Sequence, residues 1–231
     1  MFEKGLLAGK RILVTGGGSG LGAAMGRRFI ELGAELIICG RRLEMLEAAA
    51  AQMRSELGGK VGVISCDIRD SAAVDAMMEA IWREAPIDVL VNNAAATFIA
   101  QTEHLSSRAA DAILAPTLHG TMYCTLAAGR RWIDGKHSGV VLSILSTSTI
   151  TGRAFTVPSA MAKSAVLAMT RSLAVEWDPR VCARSRSRPA RFRRRGLRAS
   201  SAPKDVMKAG RNAIRSAAPA SMANLPIWRA V

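Results

Sequence analysis

One segment limits the fold of this chain more than any other. Thr15-Gly-Gly-Gly-Ser-Gly-Leu-Gly22 joins the apolar run 11–15 to a helical pattern in which Leu21, Met25, Phe29 and Leu32 recur on one face. Gly16, Gly20 and Gly22 have the spacing Gly-x-x-x-Gly-x-Gly, and Gly18, Gly20 and Ala23 satisfy the looser Gly-x-Gly-x-x-Ala. Such a turn lets a pyrophosphate approach the backbone beside a helix N-terminus, where N–H groups are free. A glycine-rich turn alone is also what a flexible loop looks like. Its place after a first strand and before an amphipathic helix points instead to a dinucleotide site built on Gly16, Gly18, Ser19, Gly20, Leu21 and Gly22.

The same alternation continues to about residue 179. Strands are predicted at 11–15, 35–39, 61–66, 88–92 and 140–145, and helices at 20–33, 41–57, 70–83, 106–132 and 157–177. The strands are short and mostly apolar, as in a parallel sheet covered on both faces. The expected fold class is α/β, a Rossmann-type doubly wound parallel sheet. Pro116, inside the 106–132 segment, is expected to kink that helix or end its first part.

The end of the second strand bears on the ligand. It closes in Cys39-Gly40-Arg41-Arg42, with no acid to bind a ribose 2′-hydroxyl and with two guanidinium groups. Arginine suits a 2′-phosphate through charge and a bidentate fork. The two arginines also suit a solvated helix start, although a helix N-terminus disfavours cations. NADP(H) is the expected cofactor.

With these motifs in order, residues 8–179 resemble the short-chain dehydrogenase/reductase family. The turn Thr15–Gly22 looks like the family's phosphate loop. Asp67 matches the acid that binds the adenine amino group, with Ile68 beside it. Asn92-Asn93-Ala94 looks like the start of Asn-Asn-Ala-Gly, with Ala95 replacing the glycine. Lys163 matches the active-site lysine that holds the nicotinamide ribose. The resemblance thus assigns Arg41, Arg42, Asp67, Ile68, Asn93, Ala94 and Lys163 to the cofactor.

The departures narrow the resemblance. The family's usual acid is a tyrosine four residues before the lysine, where this chain has Ser159, and its one tyrosine is Tyr123. Ser146 matches the usual serine, and Thr117 stands where an asparagine is usual. Val157-Pro-Ser-Ala-Met-Ala-Lys163 and Asn92-Asn-Ala-Ala-Ala-Thr-Phe-Ile99 resemble the 2,4-dienoyl-CoA reductases, which also carry serine in place of the tyrosine. Ser159 and Lys163, four apart, share one helix face. In that branch a tyrosine and an asparagine donate to the thioester oxygen; the matching positions are Ser148 and Thr97, hydroxyls of shorter reach. The resemblance implies hydride transfer from NADPH to a carbon conjugated with a carbonyl, the substrate being a small molecule such as an acyl-CoA. It also implies homo-oligomers through helices 106–132 and 157–177. Without Lys163, the run Ser146-Thr-Ser148 would read as a polar strand end.

Composition sets the remaining bounds. The formal charge of +14 is uneven: residues 1–179 hold 18 Lys and Arg against 17 Asp and Glu, whereas 180–231 hold 14 against the single acid Asp205. The expected domains are therefore a nearly neutral NADP-binding body, 1–179, and a basic segment, 180–231. Leu, Ile, Val and Phe number 8 in those last 52 residues, below the ~20% at which charged chains tend to be disordered. The last one or two strands of the fold are accordingly expected to be missing. The basic segment reads in three ways: a nucleic-acid arm, a solvated extension, or the product of a shifted reading frame. Whole-chain alternatives to an oxidoreductase are a non-catalytic nucleotide-binding protein and a nucleic-acid binder acting through that segment.

No apolar run is long enough to cross a membrane, and the first ten residues lack the pattern of a signal peptide. Cys39, Cys66, Cys124 and Cys182 are dispersed and read as buried thiols of a cytoplasmic protein. His104, His119 and His137 share no metal-ligand spacing, so no metal is expected. Tyr123 reads as a core or interface aromatic.

Overall fold

A computed structural model describes residues 3–177 and 181–186. The chain alternates β1 (Arg11–Thr15), α1 (Gly20–Glu31), β2 (Glu35–Gly40), α2 (Leu43–Leu57), β3 (Val61–Ser65), α3 (Ser71–Glu84) and β4 (Val89–Asn92). It continues with α4 (Ser107–Leu114), a π turn (Ala115–His119), α5 (Gly120–Asp134), β5 (Gly139–Ile144), α6 (Ser148–Thr151), α7 (Val157–Glu176) and β6 (Val181–Arg186). All described strand pairs are parallel, in the order β3-β2-β1-β4-β5-β6.

The near-continuous apolar character of β1 follows from its central place, since all five of its residues are buried. Ile12 and Val14 pack with Leu36, Ile38, Leu46 and Met53 on the face covered by α1 and α2. Leu13, between them, points to the opposite core with Met78, Leu90, Trp132 and Val141, under α3 and α5. A strand buried on both sides needs apolar residues at both parities, so it shows no alternation.

The lower ends of the strands are held by charge. The buried Arg11 guanidinium bonds Glu35 at 2.7 Å, Glu84, and the Ile81 carbonyl at 2.9 Å, with the Ala85 carbonyl alongside. It thereby ties β1 to the C-terminus of α3, whose last carbonyls lack helical partners and favour a cation.

The structure gives detail to two sequence expectations. Pro116 does end the first part of its segment, since α4 stops at Leu114, but the chain passes into α5 through the π turn that contains it rather than through a loop. The wider turn relieves the clash of a proline ring with the preceding carbonyl and absorbs the missing N–H. The second lies beyond residue 180, where strand residues 181–186 pair with β5 from Gly139↔Val181 to Ile144↔Arg186. The flank of β5 is therefore covered by one further strand, where the last one or two were expected to be missing. Strand pairing is made by backbone groups, so it does not require the apolar run that the sequence lacks there. Residues 187–231, with most of the basic segment, lie outside the described residues.

Candidate active site

The strand order reverses between β1 and β4, and the C-terminal ends of these two strands open the crevice where open α/β sheets place ligands. The turn after β1 is built for close approach. Gly16 has φ +67°, and its N–H donates to the Cys39 carbonyl at 2.8 Å. A Cβ on Gly22 would lie 2.4 Å from the Gly16 carbonyl oxygen and 2.6 Å from Asn93 Nδ2, so only glycine fits. α1 starts at Gly20, and its Ser19 cap makes no side-chain hydrogen bond to the helix. No acid sits in its first turn, leaving the positive end of the helix open to an anion. Gly18 packs near Leu46, and Leu21 is half-buried at the helix start.

Thr15, which sequence reasoning took only as the start of the loop, joins the two strand ends. Its Oγ1 accepts from the N–H groups of Asn93 and Ala94, both at 3.1 Å, and lies 3.4 Å from the Val91 carbonyl to which it donates. Asn93 Nδ2 returns to the Thr15 carbonyl at 3.0 Å and the Gly16 carbonyl at 3.3 Å. A hydroxyl as the last residue of a buried strand was the available signal. The segment after β4 is thus fixed against the glycine turn by four bonds between residues about 78 positions apart.

The crevice is flanked by the ends of β2 and β3. Arg41 and Arg42 are exposed, and Arg42 caps α2 in extended backbone. Asp67 is held by Arg69, whose Nε lies 2.9 Å from each carboxylate oxygen. The hydrogen bonds from Arg69 keep its carboxyl below the usual range, with Arg41 adding to the effect through charge. Ile68 is buried against Gly120, where a Cβ would come within 2.6 Å of its side chain. Asp70 instead caps α3, accepting from Ala72 and Ala73.

The other wall comes from β5, α6 and α7. Lys163 is 7% exposed, and its Nζ donates to the Ile144 carbonyl at 2.5 Å. Burial with no carboxylate alongside lowers its pKa to about 8. Ser146 and Ser148 form a pair: Ser148 Oγ donates to Ser146 Oγ at 2.9 Å, and the Ser148 N–H lies 3.3 Å from the same oxygen. Ser159 stands one turn before Lys163 on α7 and is half-buried. Thr97 is exposed in the loop after β4, and among the described residues no side-chain hydrogen bond joins it to the serine pair.

The structure therefore brings together Gly16, Gly22, Asn93 and Ala94 on one side of the crevice and Ser146 with Ser148 on the other. It does not bond Thr97, Ser159 or Lys163 to that serine pair. Sequence reasoning passed over Thr121 and Thr125, which with Asn92 form a buried polar chain behind the site. Tyr123 is half-buried against the core, its ring 6.3 Å from that of the exposed His119. Cys39, Cys66 and Cys124 are buried and free, and burial raises all three thiols. Among the described residues no group of three or more His, Cys, Asp or Glu is placed to hold a metal. No described helix is long and apolar enough to cross a membrane.

The chain is similar in sequence and fold to known proteins. The short chain dehydrogenase family profile matches residues 10–184. An uncharacterized oxidoreductase of Caenorhabditis elegans is 43% identical over 175 residues, covering 75% of this chain and 56% of that protein. A probable 2,4-dienoyl-CoA reductase of Bacillus subtilis is 41% identical over 169 residues, covering 73% of this chain and 66% of that one. The chain thus spans less than two thirds of the length of these relatives. The crystal structure of a short chain dehydrogenase from Bacillus anthracis superposes with a TM-score of 0.70 at 37% identity, covering 73% of this chain and 70% of that chain. The chain belongs to the short chain dehydrogenase family, near its 2,4-dienoyl-CoA reductase branch.

Proposed function

We propose that this chain is an NADP(H)-dependent oxidoreductase that reduces the conjugated double bond of an enoyl-CoA or dienoyl-CoA thioester. The observation that carries this reading is the wall opposite the glycine turn. It holds a buried Lys163 and a bonded serine pair, with serine at 159 and the lone tyrosine packed on α5. A site without a phenol suits a reaction in which a carbonyl oxygen needs only hydrogen-bond donors while negative charge develops on it.

A nicotinamide dinucleotide fits the residues present. Gly16 and Gly22 leave room where a side chain would collide, and the N-terminus of α1 carries no acid. Arg41 and Arg42, in place of an acid after β2, favour a 2′-phosphate. Asp67 and Ile68 would hold the adenine, and Asn93, Ala94 and Lys163 the nicotinamide end. When bound, the reduced nicotinamide supplies the hydride.

The chain's own residues supply orientation and charge stabilisation. Ser148 and Thr97 donate to the thioester oxygen, each such donor contributing about 10²–10³ in rate. Ser146 accepts from Ser148 in the free site and thereby holds it. Lys163, whose Nζ donates to the Ile144 carbonyl, would hold the nicotinamide ribose. The substrate class follows the relatives named as 2,4-dienoyl-CoA reductases.

Consumption of NADPH absorbance with a 2,4-dienoyl-CoA, in wild type and Lys163→Ala, tests the reading. Turnover by wild type that is lost in the variant supports it. NADPH binding without turnover would instead mark a nucleotide-binding protein, and turnover undiminished in Lys163→Ala would refute the site.

A further inference from the structure

Asn92, the last residue of β4, and Ser143, in β5, are register partners on adjacent parallel strands, 2% and 1% exposed. Register partners point to the same face of a sheet. Here that is the face under α5. Leu90 and Val141, two residues earlier on each strand, belong to the core beneath α3 and α5, and Asn92 itself reaches Thr125 of α5. Every bond in the polar chain behind Asn92 has one possible direction. Thr121 Oγ1 donates to the Thr117 carbonyl at 2.9 Å, and Thr125 Oγ1 to the Thr121 carbonyl at 2.7 Å. A carbonyl only accepts, so the one hydroxyl proton of Thr125 is spent on Thr121, and toward Asn92 its oxygen can only accept. Asn92 therefore presents its NH2 to Thr125, at 2.8 Å, which fixes the orientation of the amide and leaves Oδ1 for another partner. Among the described residues Asn92 Oδ1 meets no donor, and Ser143 Oγ meets no partner of either kind. The two buried oxygens lie on one face of neighbouring strands, and no hydrogen bond joins them.

We infer that a single buried water is bound between Asn92 Oδ1 and Ser143 Oγ, donating to the amide oxygen and sharing a hydrogen bond with the hydroxyl. Bare polar atoms are costly in a protein interior, and buried waters sit where two or more such atoms converge. Neighbouring strands lie about 4.8 Å apart, a gap that one water spans where two short side chains do not meet. The water extends the line of hydrogen bonds from α5 across the end of β4 to β5. Asn93 and Ala94, bonded to Thr15 in the cofactor cradle, follow Asn92 directly. Ile144, whose carbonyl holds Lys163, follows Ser143. The site thus ties together, from behind, the two strand ends that carry the walls of the crevice. It stands independently of the reaction proposed above, since only the fold and the direction of these bonds enter it.

The probe is water itself, on the full chain. A crystal structure of wild type should show one ordered water within about 3.2 Å of both Asn92 Oδ1 and Ser143 Oγ. A direct bond between the two side chains, or an ordered water that touches neither, overturns the site. In solution, magnetic relaxation dispersion of the water oxygen nuclei counts the waters that a protein holds for longer than nanoseconds. Ser143→Val removes the hydroxyl and puts methyl groups where the water would lie, so it should lose one such water relative to wild type. An equal count in wild type and Ser143→Val overturns the site. Should the valine variant fail to fold, the wild-type crystal structure decides alone, because the position of the water is the proposal.

Discussion

The ammonium of Lys163 lies 2.5 Å from the carbonyl oxygen of Ile144, the last residue of β5. Helix α7 thus delivers a cation to the end of a strand 19 residues earlier, beneath the surface and without a carboxylate to neutralise it. A buried charge with only a carbonyl partner is costly, and that cost appears as a proton affinity lowered to about 8.

The shift has a definite sign in stability. The folded chain releases the Lys163 proton near pH 8, whereas an unfolded lysine keeps its proton to about 10.4. Between these values the unfolded state binds more protons, so stability rises with pH in that window. Denaturant titrations should show wild type gaining on Lys163→Met between pH 8 and 10, by roughly 2 kcal/mol. In kcat/KM the same group should produce an alkaline decline centred near pH 8 that is absent from Lys163→Arg.

Gly22→Ala should damage the cradle more than the fold. The new Cβ would meet the Gly16 carbonyl oxygen, which is backbone, at 2.4 Å, and Asn93 Nδ2, which is held by the Thr15 and Gly16 carbonyls, at 2.6 Å. Overpacking of this kind costs about 1–3 kcal/mol. The turn must move to accommodate it, so NADPH affinity in a fluorescence titration should fall more than tenfold, with a decrease in Tm of several degrees.

Arg41→Ala together with Arg42→Ala should separate the two cofactors. A charge-assisted bond to a 2′-phosphate contributes about 1.5–3 kcal/mol, so the double variant should bind NADPH roughly ten to a hundred times more weakly. NADH, which lacks that phosphate, should change by about threefold or less. Equal loss for both would remove the arginines from the cofactor site.

Arg11→Met should destabilise the chain without touching the crevice. It leaves Glu84 and the carbonyls at the end of α3 without their cation, while Glu35 keeps Lys60 at 3.2 Å. Breaking a buried pair costs about 3–5 kcal/mol, reduced here because Glu84 is exposed. A loss of about 3 kcal/mol in equilibrium unfolding is expected, with NADPH affinity within about twofold of wild type.

Local chemistry alone determined the alternation of elements and the place of the cradle. The strand at Arg11–Thr15 and the helix opening at Gly20 are read directly from the residues, because side-chain burial and turn sterics act over a few positions. Helix ends and strand ends differ from the sequence reading by one or two residues, as capping geometry allows. What only the tertiary structure decided is which polar groups meet. Thr15 with Asn93, Thr117 with Ala96 and Lys163 with Ile144 are bonds between residues 19 to 78 positions apart. No periodicity records them. They exist because parallel strands bring distant ends to one edge, where buried donors must find partners. The same holds for Pro116, read as a kink or an end to the first part of its helix and found in a π turn, and for residues 181–186, whose backbone pairs with β5.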